Sequence, residues 1–209
     1  MTAAQLAPWA ALAALGAYHG VNPGMGWLFA VARGLQEKSR REVLVAVWPI
    51  AAGHEASIMV VLLATVALES VLAARWLKLV AAGALLLVAA VLLVKRRVHP
   101  RGFGLKVGYR GLAGWSFLMS SAHGAGLMIL PIFIGLTLTA PEPALPSTVG
   151  QALAAGALHT GAMVAVMTVI AVVVYDRLGL SLLRRAWINL DLVWAAALLV
   201  AALAVTFTA

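Results

Sequence analysis

Ala17-Tyr18-His19-Gly20-Val21-Asn22-Pro23-Gly24-Met25 puts a histidine, an amide and a proline inside an apolar run that extends over roughly residues 5–32. Pro23 has no amide hydrogen and its ring crowds the preceding turn, so a regular helix cannot continue through Asn22-Pro23-Gly24. At membrane depth such a break is tolerated only against protein or a wet cavity. Working outward, the 209 residues are 64% hydrophobic and only 11% charged, with a mean hydropathy of +1.01. A chain of that kind cannot cover a soluble surface and belongs in a bilayer. A hydrocarbon core of about 30 Å takes about 20 helical residues per crossing, which leaves room for about six spans. Apolar runs broken by charge clusters put them at roughly 5–32, 42–68, 74–95, 113–139, 148–175 and 187–208. The predicted class is all-α: a single polytopic transmembrane domain over residues 1–209. No Lys or Arg precedes the run from Trp9 to Gly16, so a retained first helix is expected and not a cleaved signal.

The net charge of +8 is unevenly distributed. Arg33, Lys38, Arg40 and Arg41 follow the first span; Lys95, Arg96, Arg97, Arg101, Lys106 and Arg110 follow the third; Arg177, Arg184 and Arg185 follow the fifth. These are thirteen of the fifteen basic residues; only Arg75 and Lys78 lie opposite, and the loop from Pro141 to Pro146 has no base. The positive-inside rule makes the three basic loops cytoplasmic and leaves both termini on the periplasmic side of a bacterial-type inner membrane. The basic excess then orients the protein and does not call for nucleic acid. Cysteine is absent, which removes disulfides and thiolate metal sites.

An internal repeat is visible. Ala17-Tyr18-His19-Gly20 reads like Ser121-Ala122-His123-Gly124 at an offset of 104, and Gly53-His54-Glu55-Ala56 reads like Leu158-His159-Thr160-Gly161 at an offset of 105. Two halves of three helices each must insert with opposite orientation. The expected architecture is a 3+3 inverted repeat, with repeat 1 over 1–97, repeat 2 over 110–209 and a basic cytoplasmic linker over 98–109.

Counted at about 1.5 Å per residue, His19, His54, His123 and His159 lie about 15–21 Å from the nearer helix start, near the midplane. Ionisable groups at that depth are expensive and usually mark a site. Imidazole suits nickel, copper, zinc and iron, whereas thioether favours softer ions. His19, His54, His123 and His159 are therefore the candidate metal ligands, with Met25 beside the break as a thioether. Met128 and Met163 follow His123 and His159 and are as well explained by packing. Asn22, Glu55, Ser57, Ser120 and Thr160 would line the pathway or fix the imidazole tautomers. His99 is read as solvated. Asp191, Asp176 and Glu69 lie near helix ends. Gly53-His54-Glu55 does not open a zinc-protease motif, because Ile58 stands where the second histidine is needed. No Ser/His/Asp set or phosphate loop is present, and an enzyme is not expected.

His19-Gly20-Val21-Asn22-Pro23-Gly24-Met25 resembles the first-helix motif of the nickel/cobalt transporter group and its UreH-like relatives in the LysE superfamily, where HxxxxDH often reads His-Gly-x-Asp-Pro-Asp-His. Ala52-Gly53-His54-Glu55-Ala56-Ser57 is similar to the Gly-His signature of their next helix, and Ser39-Arg40-Arg41 fits their basic linker. The resemblance covers roughly residues 10–65 and implies a helical permease or exporter with His19 and His54 among its metal-contacting residues. Gly24 and Met25 stand where that group has Asp and His, and Asn22 replaces the earlier acid. The altered site is softer and less negative.

The expected function is a cation permease or exporter, a transition-metal ion being the substrate, with alternating access about the histidine layer. Two other classes fit the same residues. Four histidines at one depth would serve haem ligation, and a small chain with short loops would serve as an accessory subunit of a larger membrane complex or as a homo-oligomer.

Overall fold

The computed structural model describes residues 3–69, 108–138 and 145–177, with scattered positions between 76 and 90 and Leu199. Of the described residues 94% are helical and none is in a strand. Helix α1 (Ala3–Val21) ends at a 3-10 turn (Pro23–Met25), and α2 (Trp27–Gln36) follows. Next come α3 (Arg40–Glu69), α4 (Tyr109–Ala122), α5 (Ala125–Leu138) and α6 (Leu145–Arg177). The expected third and sixth spans, at 74–95 and 187–208, fall mostly outside the described residues, as do His99 and Asp191. The linker 98–109 is described only at its end.

The break in the first span lies where the sequence places it. Asn22 caps the short turn, its Oδ1 accepting from the Gly24 amide at 2.8 Å, and Gly26 turns the chain into α2 with φ of 131°. A side chain at that φ would be strained. The fourth span, predicted to be continuous, is also broken: α4 and α5 meet at His123-Gly124 with a bend of 62°, and Gly124 has φ of 69°. α3 and α6 are long and apolar enough to cross a membrane, and the bent α4–α5 pair adds a third crossing if it is one span.

Large apolar side chains stay on the outside: Trp48, Val60 and Val169 are 70%, 61% and 64% exposed, whereas His19, His54, Ser120 and His159 are fully buried. Apolar exposure of this kind suits lipid contact.

Glycines set the helix spacing. A Cβ on Gly16 would collide with the His159 carbonyl, and one on Gly20 with that of Met163. Gly16 and Gly20 form a small-xxx-small pair that lets α1 lie directly on α6. The contact numbers rise together, so α1 and α6 run parallel. Gly53 meets the Ala113 carbonyl in the same way; Ser116 donates to the Ile50 carbonyl at 2.7 Å, Ser120 pairs with His54 and Ser121 with Ser57, an order that rises in both helices, so α3 and α4 are also parallel. Between these pairs the direction reverses: Glu55 and Met59 of α3 meet Thr160 and Gly156 of α6 in opposite order. At one end Arg33 pairs with Glu42 at 2.9 Å, Tyr109 donates to the same carboxylate at 2.6 Å, and Arg40 reaches Asp176 at 3.4 Å. The C-terminal ends of α2 and α6 therefore share an end with the starts of α3 and α4.

Two apolar clusters fill the interior. One contains Leu12, Ile58, Leu62, Ile129, Phe133 and Ala155. The other, toward the basic end, contains Trp27, Val43, Val47, Ile50, Met163 and Met167. His54 lies one turn from both Ile50 and Ile58, and His159 one turn from both Ala155 and Met163. The histidine layer is held between these two apolar clusters.

Candidate functional site

Three helices each deliver one imidazole to the same point. The ring centres of His19 on α1 and His159 on α6 are 4.9 Å apart, those of His19 and His54 on α3 are 5.4 Å apart, and those of His54 and His159 are 5.5 Å apart. The close glycine contacts make this possible, because they bring the backbone of α1 onto α6 beside His159 itself.

Each ring is held at Nδ1. His19 Nδ1 donates to the Leu15 carbonyl at 2.8 Å, and His159 Nδ1 donates to the Leu12 carbonyl at 3.2 Å. A carbonyl only accepts, so in the neutral ring Nδ1 carries the hydrogen and Nε2 keeps a lone pair. His54 Nδ1 is paired with the Ser120 hydroxyl of α4. Nε2 of His54 and of His159 is buried and meets no hydrogen-bond partner among the described residues. Buried polar atoms are nearly always satisfied, so two orphaned imidazole nitrogens in one layer require a reason.

Three imidazoles holding one ion through Nε2 at about 2.0–2.1 Å on tetrahedral angles have ring centres about 5 Å apart. The observed triangle has that spacing. The agreement is in spacing alone: the His54 and His159 rings are stacked with 9° between their planes, and among the described residues no group of three or more His, Cys, Asp or Glu could hold a metal ion as the side chains stand.

The other expected site residues take different places. His123 is the C-cap of α4, buried, with Nδ1 donating to the Met119 carbonyl at 2.8 Å. Asn22 is spent on the Gly24 amide. Met25 is buried at the end of the 3-10 turn. Glu55, half-buried, accepts from the Thr160 hydroxyl and ties α3 to α6. Ser57 bonds Ser121 at 2.9 Å and ties α3 to α4. Ser120 alone among the hydroxyls reaches a histidine of the triangle. Sequence reasoning missed the carbonyls of Leu12 and Leu15, which no side-chain pattern announces; the only available signal was their spacing of seven and four residues before His19. No protein-family model, curated protein or solved structure matches the chain.

Proposed function

We propose that this chain is an integral membrane permease or exporter for a transition-metal cation, with His19, His54 and His159 as its central site. The observation that carries the reading is the triangle of buried imidazoles, in which Nε2 of His54 and of His159 is buried with no hydrogen-bond partner among the described residues. An entering ion draws the Nε2 atoms together by rotation of the rings about their Nδ1 anchors. Glu55 supplies negative charge beside the site, and His123 lies along the path at the second break.

The full arrangement in this proposal is six spans in a 3+3 inverted repeat, inserted in an inner membrane with the basic loops cytoplasmic and both termini periplasmic. Support comes from helix direction: α1–α2 and α3 run opposite to α4–α5 and α6 respectively, and both first spans are broken beside a histidine. Rocking of the α1/α6 pair against the α3/α4 pair opens one apolar cluster at a time, with the turn at Asn22–Gly26 as the hinge. The likeness to the nickel/cobalt transporter group belongs to the same proposal. Haem ligation fits less well, because it needs two imidazoles facing each other across a macrocycle, and here three rings crowd one point at 4.9–5.5 Å.

The test is cellular metal content, measured by mass spectrometry, with the parent chain, with His54→Ala and without the protein. The parent is expected to shift the content of one ion and His54→Ala to abolish the shift. A shift of the same size from His54→Ala removes the site from transport.

A further inference from the structure

We infer that the outward face of α3 at its basic end holds an anionic phospholipid, with the phosphate against Lys38 and Arg41 and an acyl chain along Leu44 and Trp48. The inference needs the chain to lie in a bilayer and does not depend on what it transports.

The bases at this end are unequally used. The Glu42 carboxylate takes Arg33 of α2 and the Tyr109 hydroxyl of α4, and the Arg33 guanidinium lies over the Tyr109 ring at 4.2 Å. Arg40 turns to Asp176 of α6. Both of those acids are thereby engaged. Lys38, Arg41, Arg110 and Arg177 are exposed, and among the described residues none of them forms an ion pair. Glu37 is the one other described acid at this end. Five further bases, Lys95, Arg96, Arg97, Arg101 and Lys106, precede α4 in the sequence. The described acids leave this end positive, and a basic cluster beside a membrane helix attracts anionic headgroups.

Helix geometry says where on the surface the lipid sits. Successive residues turn by about 100°. Glu42 faces α2 and α4 on one side of Arg41, and Arg40 faces α6 on the other, so Arg41 points away from the bundle between them. Trp48 lies seven residues on, nearly two full turns, and therefore on the same face about 10 Å along the axis. Its side chain is 70% exposed, and Leu44 between the two is 41% exposed. A phospholipid has its charge and its chains in that same order, with indole favoured at the boundary. A soluble phosphate would use the bases and leave the apolar strip bare. A second copy related by a twofold axis would set these bases against themselves.

Trp48 is the reporter. The full chain is reconstituted in mixed vesicles of phosphatidylcholine and phosphatidylglycerol at fixed proportions, with bromine on the acyl chains of an equal amount of one lipid or the other. The Trp48 signal is the difference between the parent and Trp48→Phe. Brominated phosphatidylglycerol is expected to quench it as though enriched roughly fivefold or more, the gain from a base near an anionic headgroup. Lys38→Gln with Arg41→Gln is expected to remove the enrichment with helix content unchanged, and Arg110→Gln with Arg177→Gln to keep most of it. Equal quenching by the two lipids in the parent, or an excess that survives the first pair of substitutions, overturns the inference while leaving Trp48 on the lipid face. Equal loss in both pairs shows a diffuse attraction and overturns the local site. Quenching by neither lipid, as a second copy seated on α3 would give, overturns the inference and the lipid-facing assignment of α3 together.

Discussion

A histidine donating from Nδ1 to a main-chain carbonyl has one nitrogen satisfied and one left over. In His159 the leftover atom is buried without a partner among the described residues, which a packing role does not explain. Ser120 does for His54 what carbonyls do for His19 and His159, and a serine can be removed cleanly. Ser120→Ala is predicted to weaken metal binding by about ten- to a hundredfold while helix content stays constant, read by competition titration and circular dichroism. A second prediction concerns the glycines. Gly53→Ala drives a Cβ into the Ala113 carbonyl, and two backbones must separate. Overpacking of this kind costs about 1–3 kcal/mol, measured by denaturant unfolding in detergent, whereas Gly114→Ala, with open space around it, is expected to be neutral. The sequence made His19, His54 and His159 legible because depth can be counted along a helix. It did not distinguish His123, which matches His19 in the repeat but caps a helix end, because the bend at Gly124 carries no proline to announce it.

At the level of the element, proline explains less of the breaking than its chemistry suggests. Pro8, Pro49 and Pro131 all sit inside continuous helices. The first break is made by neighbours: Asn22 supplies a cap that a helix interior cannot use, and Gly26 supplies a φ that other residues resist. Pro23 occupies the first position of the short turn, where its missing amide hydrogen leaves nothing unsatisfied. Gly26→Ala is predicted to destabilise the fold more than Asn22→Ala, since it adds strain at positive φ and a clash with Ile50 to a loss that for the cap alone is about 1 kcal/mol. Comparative thermal unfolding of the two variants checks the order. The expected span at 42–68 matches α3 closely because a long, mostly apolar run between the charged ends Glu42 and Glu69 leaves little choice. The fourth span was harder to read: α5 has apolar residues all round and no periodicity to mark where its axis turns.

For the molecule as a whole, the exposed apolar side chains, the buried histidines and the shared basic end connect sequence to topology. Composition alone made the membrane class legible. The pairing of α1 with α6 and of α3 with α4 was not legible, since it depends on which backbones glycine allows to touch. Because Arg33, Glu42, Tyr109, Arg40 and Asp176 gather at one end, the basic ends of α2, α3, α4 and α6 lie at one end of the bundle, which the proposed topology puts on one side of the bilayer. The chain has no cysteine, so Glu37→Cys and Gly150→Cys can be labelled singly with an impermeant maleimide in intact and opened cells. Glu37→Cys is predicted to react only after opening and Gly150→Cys in intact cells; labelling of both from the same side contradicts the proposed topology. The central claim is that three imidazoles from three helices hold one cation in the middle of the bundle. X-ray absorption of the protein loaded with the ion whose cellular content it shifts examines it most directly: the account predicts three nitrogen scatterers with the outer-shell pattern of imidazole. A spectrum without imidazole scattering, or one unaltered by His159→Gln, contradicts it.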